Sequence, residues 1–538
     1  MTQLHSPNHV YARQMLDELN TDGYASLVEL FTLACETYAD RPAFNCLGQT
    51  MTFAELDKYT RDFAAYLLGD CGLVAGDRLA VQLPNLNQYP VVAWGAIRAG
   101  VILVNTNPLY TERELVHQFN DSGAKALVVL SDLLPVVEKI LPQTGIEKVV
   151  VTHAMDMIQA QAAPESAISN LITLPEALNS GEQASFTPPT LTMQSILVLQ
   201  YTGGTTGVAK GAVLTHGNFF SCSKQVEKSA DIFENGNEIF IAPLPLYHVY
   251  GFNTYLMGMI FRGGQSVLIP NPRDLDGMIQ TIKHFKFTGF AGINTLFVSM
   301  LNHPNINEVD FSALKFTVSG GAALVMDVAS QWETLTGCRI CEGYGLSESS
   351  ATVSFNRPNF QQLGTIGEPT IGTQVKLVDD AGVEVPQGQE GELLARGPQM
   401  LQAYWNRPEA TAEAIDEEGW FKTGDIAVQQ EDGYLRIVDR KKDMIIVSGF
   451  NVYPNEIEDV AGGHPNILEC AAVGVMDDKS GEAVKLFAVS NDPQLDSKTI
   501  RDYCRQHLTG YKVPKHVEFL EELPKSNVGK ILRRELRE

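Results

Sequence analysis

The chain has 538 residues, 44% hydrophobic and 19% charged, a globular balance in a chain too long for one compact core. Its formal net charge of −24 argues against a nucleic-acid partner, because phosphate backbones are met by basic surfaces. From Lys441 onward 14 Lys+Arg meet 16 Asp+Glu, so nearly all the acidic excess lies in the first 440 residues.

The opening MTQLHSPNHVYARQML has no apolar stretch suited to a secretory signal. From Arg78 the pattern alternates. RLAVQLP reads as a strand, the segment from Gln88 to Arg98 as a helix, VILVNT as a strand, and a polar helix starts near Glu112 before ALVVL and KVVVTH. Short β-branched runs separated by helices imply βαβ units and a parallel sheet. The stretch YPVVAWGAIRAGVILV is broken by Arg98 and two glycines and is too short to span a bilayer. The stretch from Ala154 to Thr190, rich in Ala, Ser, Gln and Pro, reads as a surface connection. A second alternating series follows: EIFIAPLP, a helix to Arg262, SVLIP, a helix from Leu275, FTGFA, a helix from Asn294, LKFTVSG, a helix from Val325, and CRICEGY. Two doubly wound α/β halves are the natural interpretation.

After Gly364 the pattern turns β-rich, with hairpin signatures in VKLVDDAGVEV and around Glu431-Asp432-Gly433. Beyond Arg440-Lys441-Lys442 come MIIVSGFNVYP and a mixed α+β region ending in a basic helix. The expected division is therefore 1–440 and 441–538. The final YKVPKHVEFLEELPKSNVGKILRRELRE carries seven basic side chains, which suit either an anionic ligand or a solvated terminal surface. Eight cysteines without framework spacing suit a reducing cytoplasm. Cys338-Arg339-Ile340-Cys341 is a lone CxxC; on a strand its sulfurs would point to opposite faces, so a structural part is expected.

The sharpest local signal is YTGGTTGVAKG, residues Tyr201 to Gly211, after the apolar strand SILVLQ. Glycines let successive backbone N–H groups curve around phosphate oxygens, hydroxyls add donors, and Lys210 adds charge. The spacing matches neither the P-loop nor GxGxxG. This segment resembles the phosphate-binding loop of the acyl-adenylate-forming superfamily, which includes acyl- and aryl-CoA ligases, luciferases and peptide-synthetase adenylation domains. Further landmarks occur in the family's order: PLPLYHVYG from Pro243, SGGAA from Ser319, EGYGLSE from Glu342, FKTGD ending at Asp425, DRKKDMIIVSG from Asp439, and PKSNVGK ending at Lys530. The segment from Glu418 to Lys442 resembles the signature of bacterial long-chain fatty acyl-CoA ligases.

The resemblance implies activation of a carboxylic acid by ATP as an acyl-adenylate, then transfer to a thiol. It assigns the phosphates to Tyr201, Thr202, Gly203, Gly204, Thr205, Thr206, Gly207 and Lys210. It gives Mg²⁺ to Glu348 with Thr202, and the ribose to Asp425 and Arg440. Adenine would lie in a slot formed by Gly320, Gly321 and Ala322 under Tyr344, with Gly345 and Ser347 beside it. Lys530 would be catalytic, meeting charge that builds between the α-phosphate and the attacking carboxylate. His248 would gate the acyl and thiol approach, although a histidine among apolar neighbours is commonly a core side chain. Lys442 would be the hinge of a mobile C-terminal domain, and Gly449 would enter the site for thioester formation. GFNTYLMGMIF has no charge, which disfavours an amino-acid substrate and suits an alkyl chain. The expected ligands are a fatty acid, ATP and coenzyme A. Peripheral contact with the inner face of the cytoplasmic membrane would be the delivery route for such an acid, and the sequence leaves the oligomeric state open. Medium-chain or aryl acids, and loading of a carrier protein, remain alternatives.

Overall fold

The computed structural model describes residues 8–202, 209–477, 479–526 and 529–537. Gly203, Gly204, Thr205, Thr206 and Gly207 lie outside the described residues.

Four sheets organise the described residues. The first doubly wound half is a seven-stranded sheet ordered Leu171–Thr173, Lys148–Thr152, Ala126–Leu130, Arg78–Gln82, Ile102–Asn105, Ile196–Thr202, Lys210–Thr215. It is parallel except for the last pair, where Thr202 faces Lys210 across an antiparallel ladder. Its strands are buried on both faces, which is why they read as unbroken Val/Leu/Ile runs. The second half is a nine-stranded sheet whose parallel centre includes Phe316–Gly320 and Ile340–Tyr344, in a register that sets Gly320 opposite Gly343. A four-stranded antiparallel sheet, Gln374–Val378, Glu390–Arg396, Phe421–Gln429 and Leu435–Arg440, follows. The fourth sheet takes all its strands from between Ile445 and Phe519, and the helices Pro454–Gly462 and Ser497–His507 share its apolar core. No helix among the described residues is long and apolar enough to cross a membrane.

Two expectations are corrected and two are refined. The stretch from Ala154 to Thr190 is not all surface connection: it holds the edge strand Leu171–Thr173 and the helix Leu174–Gln183, started by a Thr173/Glu176 capping box. That helix packs so closely on Phe53–Leu68 that a Cβ at Gly181 would lie 1.7 Å from the Asp62 carbonyl oxygen. Asn179, Ser180 and Gly181 hide it from a periodicity reading, because the contact needs absence of a side chain rather than an apolar one. Second, VKLVDDAGVEV turns back as the expected hairpin, with the Val378–Glu384 bridge and the Val385 amide donating to the Leu377 carbonyl at 2.9 Å, and its first strand also pairs along its length with Glu390–Arg396. Third, the helix after Pro243 contains a π-helical segment, Phe252–Gly258. Fourth, the described C-terminal residues end in the short 3₁₀ turn Arg533–Leu536 rather than a basic helix. Its cations are met by the protein's own carboxylates: Arg533 by Glu458 at 2.6 Å and Arg537 by Asp443 at 2.9 Å. The two sulfurs of the CxxC take separate partners, Cys338 from the Thr317 hydroxyl and Cys341 from the Gln361 amide.

Gly181→Ala is expected to destabilise the fold by about 1–3 kcal/mol through overpacking against the Asp62 backbone. Gly145→Ala, where no atom lies within 4 Å of the new methyl group, should leave the unfolding midpoint nearly unchanged in the same urea titration.

Candidate functional site

A continuous cavity of about 1720 Å³ opens at the C-terminal ends of the strands Phe316–Gly320 and Ile340–Tyr344. Open α/β sheets bind ligands at this end, where loops rather than strand ladders occupy the backbone.

The two glycines of the SGGAA turn are required by what lies over them. A Cβ on Gly320 would meet the Tyr250 ring at 3.2 Å. Gly321 has φ +81°, and a Cβ there would meet Cε of Lys530 at 3.1 Å. Lys530 thus lies across the turn, while Ala322 lines the cavity beside it. Its own loop is pinned. The Lys530 amide donates to the Ser526 hydroxyl at 3.1 Å, Thr295 donates to the Gly529 carbonyl at 3.4 Å, and Gly529 takes φ +76°. Burial lowers the Lys530 pKa to about 8; the Arg440 charge adds to this, and Asp425 and Glu348 oppose it.

Asp425 and Arg440 are direct cross-strand partners in the four-stranded sheet, and the Arg440 Nε lies 3.3 Å from the carboxylate. The Tyr344 hydroxyl also donates to Asp425. Burial raises the Asp425 pKa, against the Arg440 charge and the Tyr344 hydrogen bond. Glu348 is presented by the 3₁₀ turn Ser347–Ser349, in a loop where Ser350 and Ala351 adopt φ of 52° and 108°. Gly345 permits that loop, since a Cβ there would lie 1.7 Å from the Ala351 carbonyl oxygen. The Tyr404 hydroxyl donates to Glu348 at 2.7 Å, and Lys210 lies 4.8 Å from the centre of the Tyr404 ring. Burial raises the Glu348 pKa; the Tyr404 hydrogen bond and the charges of Arg440 and Lys210 lower it.

His248 accepts the Tyr250 amide through Nδ1 at 3.3 Å and starts the helical run 249–261. Burial, with the Lys530 charge, lowers its pKa to about 3, so the ring is neutral at physiological pH. Tyr201 lines the cavity too, but its hydroxyl donates to Asp121 at 2.7 Å. Thr202, Ser347 and Lys442 line the same space. Gly449 does not. With φ +84° it forms, with Ser448, the exposed two-residue turn between Ile445–Val447 and Phe450–Val452.

The structure therefore gathers Lys530, Gly320, Gly321, Tyr344, Asp425, Arg440, His248 and Glu348 around one cavity, sets Lys210 behind the Tyr404 ring that lines it, and leaves Gly449 apart. The sequence reading missed Tyr250 and Tyr404. Tyr250 lies inside PLPLYHVYG and was legible as a second aromatic beside the histidine. Tyr404 has no local signal, because long-range pairing brings it to Glu348: the Ala212–Tyr404 bridge, and the Leu401 amide donating to the Glu348 carbonyl at 2.7 Å.

The AMP-binding enzyme family model matches residues 31–405, and the AMP-binding enzyme C-terminal domain model matches residues 456–530. The chain belongs to the AMP-binding enzyme family. Among curated members it is 47% identical to a long-chain-fatty-acid–CoA ligase of Escherichia coli O6:H1, covering 98% of this chain and 97% of that one. It is 48% identical, at the same coverage, to the ligase of that name from Salmonella typhimurium. A solved anthranilate CoA ligase in complex with anthranoyl-AMP superposes with a TM-score of 0.87 at 27% identity, covering 95% of this chain and 96% of that one. This AMP-binding enzyme shares with that ligase a large N-terminal and a small C-terminal part.

Tyr404→Phe removes a hydrogen bond to the half-buried Glu348 carboxyl, and a loss of about 1.5–3 kcal/mol is expected at alkaline pH, where that group carries its charge. That bond holds the Glu348 pKa down, so its contribution is present when the carboxylate is charged and fades as pH falls through the folded-state pKa. Urea unfolding of both proteins at about pH 8 and about pH 5 should show the difference shrinking at the lower pH.

Proposed function

We propose that this AMP-binding enzyme joins a long-chain fatty acid to coenzyme A using ATP, through an acyl-adenylate. The observation that carries this is Lys530 lying against Gly321 at the rim that Asp425, Arg440 and Tyr344 also form. A carboxylate attacking the α-phosphate brings two anions together, so a positioned ammonium is the group the step needs most. Asp425 and Arg440 hold the ribose, the Gly320–Gly321–Ala322 turn and Tyr344 flank the adenine, and the 201–211 loop with Lys210 meets the outer phosphates. The half-buried Glu348 carboxylate, oriented by the Tyr404 hydroxyl, would hold a hard cation such as Mg²⁺, with Thr202 beside the same space. When bound, Mg²⁺ supplies neutralisation of phosphate charge. Neutral His248 stands where the acyl branch meets the Lys530 charge and can turn aside without breaking an ion pair.

The acyl branch runs along 249–261, whose residues from Val249 to Phe261 carry no charge. That composition, with the long-chain ligases at 47–48% identity, supports a fatty acid over an aryl acid. Acyl-CoA formation and pyrophosphate release across aliphatic and aryl acids test the reading. Long-chain acids should be preferred, and Lys530→Ala should lower adenylation by about 10²–10³-fold. Preference for an aryl acid, or adenylation without acyl-CoA, would replace the fatty acid or the thiol. Because the Lys530 pKa is lowered to about 8 and its charged form is required, kcat/KM for ATP should fall as pH rises through that value. Lys530→Arg should lack this alkaline limb.

We divide the chain into 1–440 and 441–538, with the hinge at Lys442. This residue is exposed in a turn closed by the Asp443 amide donating to the Arg440 carbonyl at 2.9 Å. Gly449 lies on a turn outside the cavity that holds Lys530, so rotation about Lys442 would exchange one for the other. Lys442→Pro, which restricts φ, should keep pyrophosphate release near wild type and abolish transfer to coenzyme A. Equal loss of both half-reactions would overturn the hinge. Membrane delivery of the acid follows from its chemistry, and sedimentation with anionic vesicles in the presence and absence of salt measures it.

A further inference from the structure

The helical run 249–261 leads from His248, beside the Lys530 charge, to Arg262 at the other end of the same cavity. Fourteen positions separate the two, about 20 Å at 1.5 Å per helical residue. One acyl chain in a bilayer spans roughly 15 Å, half of the hydrocarbon core. A long acyl chain laid along this helix therefore ends close to Arg262.

Arg262 is half-buried, and its guanidinium has no ion pair or hydrogen bond among the described residues. The carboxylates around it are engaged elsewhere: Glu238 with Lys315 at 2.8 Å and Thr288 at 2.6 Å, Glu227 with Lys224 at 3.0 Å. Asp231 is exposed. The guanidinium carbon lies 4.6 Å from the centre of the Phe233 ring, another wall of the cavity. Burial lowers the Arg262 pKa, against the charges of Glu227, Glu238 and Asp231. A desolvated cation without a partner is costly, and its donors remain available to an incoming anion. Beyond it, Arg262, Gly258 and Ser223 also line a second cavity of about 190 Å³ with Tyr24 and the ion-paired Lys224 and Glu227, so the acyl branch has room at its end for a polar group.

We propose that Arg262 forms a subsite for the far carboxylate of a long α,ω-dicarboxylic acid, whose near carboxylate is the one activated beside Lys530. This rests on the acyl-adenylate reading of the site. The far carboxylate takes two guanidinium N–H groups in a fork, replacing water that a methyl terminus would leave in place. The cation at the end of the branch thus widens the substrate range from fatty acids to their ω-carboxylated forms.

The test compares hexadecanoic and hexadecanedioic acids with the purified full chain, reading pyrophosphate release and acyl-CoA formation. Wild type should turn over both. Arg262→Ala should lower kcat/KM for the diacid by about 10- to 100-fold, the value of a charged hydrogen-bonded pair, and leave hexadecanoic acid within about twofold. Arg262→Lys should recover part of the loss. Refusal of the diacid by wild type that accepts hexadecanoic acid would overturn the subsite, as would equal losses for both acids. A shift of Arg262→Ala toward longer monoacids, with no selective effect on the diacid, would make Arg262 a plug and overturn it too. If no acid is turned over, the acyl-adenylate reading itself fails, and calorimetric binding decides the subsite. Tighter binding of the diacid that disappears in Arg262→Ala supports it; equal binding of the two acids overturns it.

Discussion

Asp425 is held by a hydroxyl from the nine-stranded sheet, Tyr344, and by its cross-strand partner Arg440, while Lys530 from the C-terminal segment contributes charge to the same point. Each of these groups is partly desolvated, and none would be tolerable alone. Burial pushes the Asp425 carboxyl up and the Lys530 ammonium down, and their mutual attraction opposes both shifts. The cavity therefore carries an opposed set of charges fixed on separate elements, which is what a site for ATP and a carboxylate requires. It also ties three parts of the chain together through one carboxylate.

The same logic governs the approach of the last segment. Arg533 reaches Glu458 at 2.6 Å, Asp439 at 3.5 Å and Asp443 at 3.6 Å, and so spans the turn that contains Lys442. Asp439 is fully buried and also accepts the Asn455 amide at 2.8 Å. Three carboxylates thus meet one guanidinium, three residues beyond Lys530. The proposed rotation about Lys442 would have to break or carry this cluster.

Two tyrosines complete the arrangement without belonging to a charged motif. Tyr404 bonds Glu348 and carries Lys210 over its ring, joining the phosphate side to the carboxylate side. Tyr250 covers Gly320 and donates to the Val318 carbonyl at 3.3 Å, placing an aromatic wall between the SGGAA turn and the helical run 249–261. After the uncharged run 249–261, Arg262 returns charge to the cavity lining.

By itself the sequence determined the parallel architecture, because strands such as Ala126–Leu130 and Lys148–Thr152 are buried on both faces and therefore apolar throughout. It also determined the identity of the chemical groups, since Lys530, Glu348, Asp425 and Lys210 stand in segments whose order resembles a family. The helix Leu174–Gln183 was not legible, because Gly181 marks a close backbone approach that leaves no hydrophobic period. Nor were the terminal cations, which pattern alone could assign to a ligand or to solvent and which the fold gives to Glu458 and Asp443. Tyr404 reaches Glu348, Gly321 lies under Lys530, and Arg262 is left without a carboxylate only once distant segments have packed. Local patterning encodes which face of an element is buried; which charge meets which is a long-range outcome, and only the tertiary structure decided it.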